Sequence, residues 1–218
     1  MSKLFNLHTH NFTNQENILE LVNQYPWEFN ENIPFYSIGI HPWYINENRL
    51  DSDLQIINQK LSLSNCLALG ECGLDKRIEI PLEIQEKVFK AQILLAEKHQ
   101  KPLVLHCVAA FQEIIRIKKE QSVTVPMIIH GFSKNEQTAK QLLDNGFYLS
   151  FGKYLLQNPE LKSVFQSVPN DKFFLETDTV EESLEEVYAL AANYKNIEIE
   201  EITAFVATNF EKVFHRSL

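Results

Sequence analysis

Residues 103–130, LVLHCVAAFQEIIRIKKEQSVTVPMIIH, show the pattern from which the fold class follows. It begins with the apolar run Leu103–His106, continues with an amphipathic segment over Ala110–Glu120, and ends with a second apolar run, Met127–His130. A strand, a helix and another strand in this order are typical of a parallel sheet covered by helices. Each apolar run ends in a histidine, so the same residues predict both a fold and a candidate site.

The same alternation continues over the rest of the chain. Further strands are predicted at Leu4–His8, Ile18–Val22, Phe35–Ile40, Cys66–Gly70, Phe147–Phe151 and Phe173–Glu176. Further helices are predicted at 51–63, 81–100, 134–145, 182–194 and 199–214. Eight strands favour an α/β fold of the (β/α)8 TIM-barrel type, although 218 residues is near its lower limit of about 200. Only seven residues separate His10 from Ile18, so we expect the first helix to be reduced or missing. An irregular or seven-stranded barrel stays an alternative.

Length and composition predict one globular domain over residues 1–218, because single domains contain roughly 50–250 residues. Apolar residues make up 44% and charged residues 22% of the chain, which excludes intrinsic disorder. No apolar run approaches the roughly 20 residues that span a bilayer, and residues 1–8 turn polar too early for a signal peptide. We therefore expect a cytoplasmic monomer that does not bind membranes.

Charge and cysteine content restrict the function. The formal charge of −9 disfavours extended contact with a nucleic-acid backbone, although bound cations would make a pocket locally positive. Cys66, Cys72 and Cys107 are odd in number and form no CxxC pair. The sequence thus predicts neither a disulfide framework nor a thiolate zinc site.

Ionisable side chains recur where the predicted strands end. They are His8, His10, His41, Glu71, His106, His130, Glu176 and Asp178. Because the carboxyl ends of parallel barrel strands meet on one face, we expect these side chains to converge there. His8 and His10 are two residues apart on an extended segment and point the same way. An HxH pair alone is more typical of a polar strand end, but together with the others it predicts a metal site.

Six motifs carry a resemblance to a known family. They are N-L-H-T-H (6–10), G-I-H-P-W (39–43), A-L-G-E-C-G-L-D (68–75), P-L-V-L-H-C (102–107), I-I-H-G-F-S (128–133) and L-E-T-D (175–178). In this order they resemble the TatD family of metal-dependent hydrolases, within the amidohydrolase-like barrels. Residues 207–214 are similar to the closing helix of that family.

The resemblance implies a site for two divalent ions. By it, His8, His10 and Asp178 bind one ion, His106 and His130 bind the second, and Glu71 bridges the two. It also implies that His41 contacts a scissile phosphate; a hydrogen-bonded histidine beside the site is the alternative. Nitrogen and oxygen ligands suit zinc, manganese or magnesium, with imidazole favouring the first two.

The sequence departs from the family pattern at three places. Asn6 replaces an aspartate that would orient a metal ligand, which predicts weaker metal affinity. Val108 replaces a phosphate-binding arginine, and Thr179-Val180 replaces Ser-Pro. The last two departures concern the substrate rather than the metals.

The resemblance implies a phosphodiesterase acting on DNA, with Glu71 and Asp178 as catalytic residues and Asp178 as general base. The acidic balance and Val108 favour short or single-stranded substrates. Hydrolysis of another ester or amide, or metal binding without catalysis, are the alternatives.

Four further side chains, in two pairs that follow candidate site residues, have two alternative interpretations each. We expect Trp43 and Tyr44 to pack against helices, with stacking on a nucleobase as the alternative. Asp75 and Lys76 either line the site or form a surface salt bridge.

Overall fold

A computed structural model describes residues 3–179 and 182–218. All eight strands belong to one sheet and follow one another in chain order. They are β1 (Leu4–Thr9), β2 (Ile18–Gln24), β3 (Tyr36–Ile38), β4 (Cys66–Asp75), β5 (Leu103–Val108), β6 (Met127–Ile129), β7 (Tyr148–Phe151) and β8 (Phe173–Leu175). The α-helices are α1 (Leu50–Lys60), α2 (Leu82–His99), α3 (Phe111–Glu120), α4 (Glu136–Asp144), α5 (Lys153–Gln157), α6 (Leu161–Ser167), α7 (Leu184–Lys195) and α8 (Ile199–Phe214).

Every predicted strand and helix is present, with ends displaced by a few residues. Residues 10–17, all of them described, contain no helix, which confirms the missing first helix. The sequence did not predict α5, α6 or the 3-10 helix Pro42–Tyr44. These three elements are short, so each offers too few residues for a helical period to be recognised.

The described residues form two compact units, one of residues 22–128 and one of the remainder. In the second unit, Phe5 of β1 contacts the rings of Phe210 and Phe214 on α8 at 4.6 and 5.4 Å. The hydroxyl of buried Tyr188 on α7 donates to the carbonyl of Phe5 and accepts from its amide. Helices α7 and α8 thereby fix the strand that carries His8.

In the unit of residues 22–128, β2, β3, β4 and β5 pair in parallel. Two buried glutamines of α2 bind the backbone of the segments that end at the candidate site. Gln92 accepts from the Ile40 amide at 2.7 Å and donates to the Ile40 carbonyl at 3.1 Å. Gln85 makes the same pair of bonds with Asp75. Because buried polar groups are costly when unpaired, these bonds hold the strand ends in one position.

Glu97 on α2 provides a test of stability that is separate from the site. Its carboxylate accepts from the amides of Thr124 and Val125 and from the Thr124 hydroxyl at 2.6–3.0 Å. Burial raises the pKa of Glu97, but these donors outweigh burial and lower it. Glu97→Gln is therefore expected to reduce the free energy of unfolding at pH 7 by about 1 kcal/mol.

The pH dependence of that loss follows from the lowered pKa. The contribution of the Glu97 carboxylate to the free energy of unfolding is complete above the ordinary pKa of 4.5. It disappears as the pH falls through the lower pKa that Glu97 has in the folded chain. Urea unfolding of Glu97→Gln and wild type should therefore converge in acid, with exposed Glu211→Gln as the control. A constant difference between wild type and Glu97→Gln down to the lowest pH would contradict this explanation.

No helix among the described residues combines the length and apolar character required to cross a membrane.

Candidate metal centre

The first cluster brings together His8, His10 and Asp178, as predicted. The Nε2 atoms of His8 and His10 lie 3.9 and 3.7 Å from Oδ1 of Asp178. His8 and Asp178 are buried and His10 is half-buried. One ligand atom from each of the three lies within 4.8 Å of the other two, so the group is able to hold one metal ion.

The backbone sets this geometry. The Asp178 amide donates to the His8 carbonyl at 2.9 Å, and the His10 amide donates to the Asp178 carbonyl at 3.1 Å. The segment after β8 is thus paired with β1 through the parallel bridge between Thr9 and Asp178. Asp178 has a φ of 57°, a left-handed conformation that aspartate and asparagine adopt more readily than most residues.

Lys153 donates a hydrogen bond from Nζ to the other oxygen of the Asp178 carboxylate, Oδ2, at 2.6 Å. Burial acts to raise the pKa of Asp178. The positive potentials of His130 and His8, followed by the hydrogen bond from Lys153, outweigh burial and lower that pKa. Asp178 therefore stays ionised at neutral pH, with Oδ1 directed to the two histidines and Oδ2 to Lys153.

His130 extends the first cluster. Its ring centroid lies 4.3 Å from that of His8. Its Nδ1 is 3.3 Å from Oε1 of Glu176, which also accepts from the Gly131 amide at 2.8 Å. Because Nδ1 is directed to a carboxylate, Nε2 is the nitrogen of His130 available to bind a metal.

Glu176 is fully buried, and its contact with His130 predicts a measurable effect on metal binding. Glu176→Gln removes the charge that orients the imidazole and increases its basicity, so we expect metal affinity to fall about 10–100-fold. Isothermal titration calorimetry with Zn²⁺ measures this change, with exposed Glu160→Gln as the control. Equal affinities for Glu176→Gln and wild type would show that Glu176 does not support a ligand.

The second cluster consists of His41, Glu71 and His106. Oε1 of Glu71 lies 2.9 Å from Nδ1 of His106 and 3.2 Å from Nε2 of His41. Nδ1 of His41 accepts from the Trp43 amide, so Nε2 carries the proton and donates to Glu71. The three side chains also satisfy the distance condition for holding an ion. His41 is thus close enough to be a metal ligand, which the sequence did not predict.

Glu71 does not end its strand. Predicted to end at Gly70, β4 continues to Asp75 after a register shift between Leu69 and Cys72. Such an irregularity redirects a side chain. Gly73, with a φ of 136°, lies so close to β5 that a Cβ atom would be 2.1 Å from the His106 carbonyl oxygen. Asn23 of β2 accepts from the Glu71 amide at 2.7 Å.

Asp75 lies beside the second cluster and not on the surface. It is buried, and its Oδ2 accepts from Nε1 of Trp43 at 2.7 Å and lies 3.4 Å from Nε2 of His106. Burial raises the pKa of Asp75, but hydrogen bonds from Trp43 and neighbouring groups outweigh burial and lower it. The surface salt-bridge interpretation is wrong for Asp75 but holds for Lys76, which pairs with Glu113.

The prediction that Trp43 and Tyr44 pack against helices is wrong. Trp43 is 53% and Tyr44 45% exposed. They belong to the 3-10 helix Pro42–Tyr44, which begins directly after His41. Within this helix Pro42 is buried, whereas the side chains of Trp43 and Tyr44 are exposed.

The three departures from the family pattern have separate outcomes. Asn6 is buried and exchanges two hydrogen bonds with Thr177, at 2.9 and 3.1 Å, so it connects β1 to the segment after β8. Weaker metal affinity stays a prediction. Val108 ends β5 half-buried. Of the Thr179-Val180 pair, Val180 lies outside the described residues.

The donors in the two clusters suit divalent metals. Each cluster combines imidazole nitrogen with carboxylate oxygen and contains no thiolate, which fits zinc, manganese or magnesium. The structure places three of the predicted ligands in the first cluster and His130 beside them, while Glu71 and His106 lie in the second. That all six hold two ions stays a prediction.

The sequence predicts no role for two supporting residues, Asn23 and Lys153. It predicts two others only in part: Glu176 is expected to lie with the other strand-end side chains, and Asp75 has two alternative interpretations. Glu176 ends an apolar run in the same way as the predicted ligands, and Asp75 ends the conspicuous A-L-G-E-C-G-L-D stretch. Asn23 and Lys153 have no local signal, because their roles depend on side chains distant in sequence.

Eight strands of one sheet in chain order, with helices between them, define the class of TIM-type barrels, and the two clusters are candidate metal sites in it. The crystal structure of YJJV, a TatD homologue of Escherichia coli k12, matches with a TM-score of 0.84 at 19% identity and covers 98% of each chain. This match confirms the (β/α)8 TIM-type barrel. The family model described as TatD related DNase matches residues 2–215. The chain therefore belongs to the TatD family, as its motifs predict.

Two relatives are similar in sequence. YabD of Bacillus subtilis, named as a metal-dependent hydrolase, is 30% identical over 164 residues, which are 73% of this chain and 62% of the relative. The Citrobacter rodentium protein named 3'-5' ssDNA/RNA exonuclease TatD is 27% identical over 146 residues, which are 64% of this chain and 55% of the relative. The match thus spans less than two thirds of either relative.

Proposed function

We propose that this chain is a metal-dependent hydrolase of phosphodiester bonds in nucleic acid, and of DNA in the first place. The observation that carries the proposal is the pair of histidine–carboxylate clusters, one in each unit, in a chain of the TatD family. The family description and the name of the Citrobacter relative support the substrate class.

In this proposal the chain would hold two divalent ions. His8, His10 and Asp178 would be ligands of one, His106 and His130 would be ligands of the other, and Glu71 would be a ligand of both. The chemistry that such ions would supply is a lowered pKa of bound water and stabilisation of negative charge on the reacting oxygens.

The protein side chains move and position protons. Hydrolysis forms one bond between water oxygen and phosphorus and breaks one P–O bond. Asp178, kept ionised by its surroundings, would accept the proton from the attacking water and then return that proton to the leaving oxygen. His41 donates from Nε2 to a phosphoryl oxygen in place of its present bond to Glu71.

The proposed substrate is a short or single-stranded end. The formal charge of −9 disfavours binding along a duplex. Val108 stands where the family has a phosphate-binding arginine, so this cation is missing here. Lys153, which binds Asp178 of the first cluster, is a cation that is still present. The alternative reaction is hydrolysis of another ester or amide on the same residues.

Digestion of labelled oligonucleotides tests the proposal. Single-stranded and duplex substrates are incubated with Mg²⁺, Mn²⁺ or Zn²⁺, beside a panel of nitrophenyl esters and amides. We expect metal-dependent shortening of the single strand. Ester or amide hydrolysis without strand cleavage would favour the alternative, and metal binding without any hydrolysis would favour a binding protein.

A further inference from the structure

An aromatic surface adjoins the second cluster. It consists of Tyr25, Trp27, Trp43 and Tyr44, and we call it the aromatic surface. Tyr25 and Trp27 stack with centroids 5.0 Å apart and planes 10° apart. The Tyr44 ring meets both of them edge-on, at 5.4 and 6.0 Å.

The aromatic surface is continuous with the candidate catalytic residues. The Trp43 ring lies 5.0 Å from that of His41 and 5.8 Å from that of His106. The Tyr44 ring is 5.6 Å from His41. If a phosphate of a nucleic-acid strand contacts His41, the bases adjacent to that phosphate would therefore lie beside these rings.

A hydrogen bond fixes the exposed Trp43 ring, and a cation–π contact from Arg49 fixes the Trp27 ring. Nε1 of Trp43 donates to buried Asp75 at 2.7 Å. The Arg49 guanidinium lies 3.8 Å above the Trp27 ring and donates to Asp53 at 2.8 Å and to the Tyr44 carbonyl at 2.9 Å. Rings that are exposed yet fixed lose little freedom when a planar ligand stacks on them.

We propose that the aromatic surface binds unpaired bases of a nucleic-acid strand whose phosphate lies at His41. Aromatic side chains stack on any base and therefore bind single strands without sequence preference. Arg49 is paired with Asp53, so stacking, rather than charge, is the main contribution. The inference rests on the proposed function and makes it more specific, because it assigns the bases of the substrate strand to these four rings.

Tryptophan fluorescence tests this directly, because Trp27 and Trp43 are the only two tryptophans of the chain. The full-length protein, loaded with metal, is titrated with a phosphorothioate-linked thymidine pentamer and with the same backbone lacking bases. We expect saturable quenching by the pentamer and little by the base-free strand. Trp27→Phe and Trp43→Phe separate the two signals.

Affinity measurements on Tyr44→Ala complete the test. Loss of one stacking ring is expected to weaken pentamer binding about tenfold, whereas Tyr194→Ala, which removes a half-buried ring of α7, should bind as wild type does. Equal quenching by the base-free strand, or unchanged affinity in Tyr44→Ala, would overturn the inference. A dimer that depends on Tyr44 would also overturn it, by assigning the surface to a second copy.

The binding readout separates this inference from the proposed function. Base-dependent quenching without hydrolysis of any phosphodiester would support the aromatic surface and contradict the hydrolase. Hydrolysis of single strands without base-dependent quenching would support the hydrolase and overturn the aromatic surface.

Discussion

Asp178→Asn is expected to abolish hydrolysis while leaving the chain folded. The substitution keeps the shape of the side chain but removes the charge that Oδ1 presents to His8 and His10. It also removes the proposed general base, whose contribution in enzymes is typically 10²–10⁴-fold. Because Asp178 is also a proposed metal ligand, we expect kcat to fall by at least about 10³-fold.

The fold should survive because asparagine also adopts the left-handed conformation of Asp178, with its φ of 57°. Circular dichroism and urea unfolding measure this separately from activity. Exposed Asp171, which pairs with Lys212 at 3.3 Å, provides a matched control: Asp171→Asn should hydrolyse as wild type does. Turnover by Asp178→Asn within a few-fold of wild type would contradict its assigned role.

Removal of divalent metal is expected to eliminate hydrolysis and reduce stability together. A metal that binds the folded chain stabilises it by about 2.7 kcal/mol at a free concentration one hundred times its Kd. Chelation followed by desalting should therefore lower the unfolding midpoint, and Zn²⁺ or Mn²⁺ should restore both midpoint and activity.

Variants distinguish a specific site from general effects of metal. In His10→Ala the metal-dependent shift in the unfolding midpoint should shrink, because the first cluster loses a ligand. In His99→Ala, which changes a histidine at the end of α2, the shift should be retained. Full activity after complete chelation would contradict the metal-dependent mechanism.

The sequence singles out its candidate ligands because most of them follow an apolar run. Ile128-Ile129-His130 and Val104-Leu105-His106 show the strand and the polar residue beyond it in a few letters. In a parallel α/β fold that local pattern also indicates which end of the sheet the side chain occupies. The pattern therefore selects His8, His10, His106 and His130 as candidates without knowledge of their neighbours, and metal binding by them stays a prediction.

The contacts that support those ligands could not be predicted in the same way. Lys153 reaches Asp178 across 25 residues of sequence, and the hydrogen bond from the Glu71 amide to Asn23 spans 48. Such pairs depend on which strands become neighbours in the fold. The spacing of apolar residues along the sequence carries no information about that. The exposure of Trp43 has the same origin, because burial depends on tertiary packing.

The number of metal ions bound per chain is the sharpest test of a two-metal site. Protein saturated with Zn²⁺ or Mn²⁺, desalted and analysed by inductively coupled plasma mass spectrometry, should contain two ions per chain. Glu71→Ala, which removes the proposed bridging ligand, should retain fewer. One ion or none in the wild type, or two ions retained by Glu71→Ala, would contradict a two-metal site bridged by Glu71.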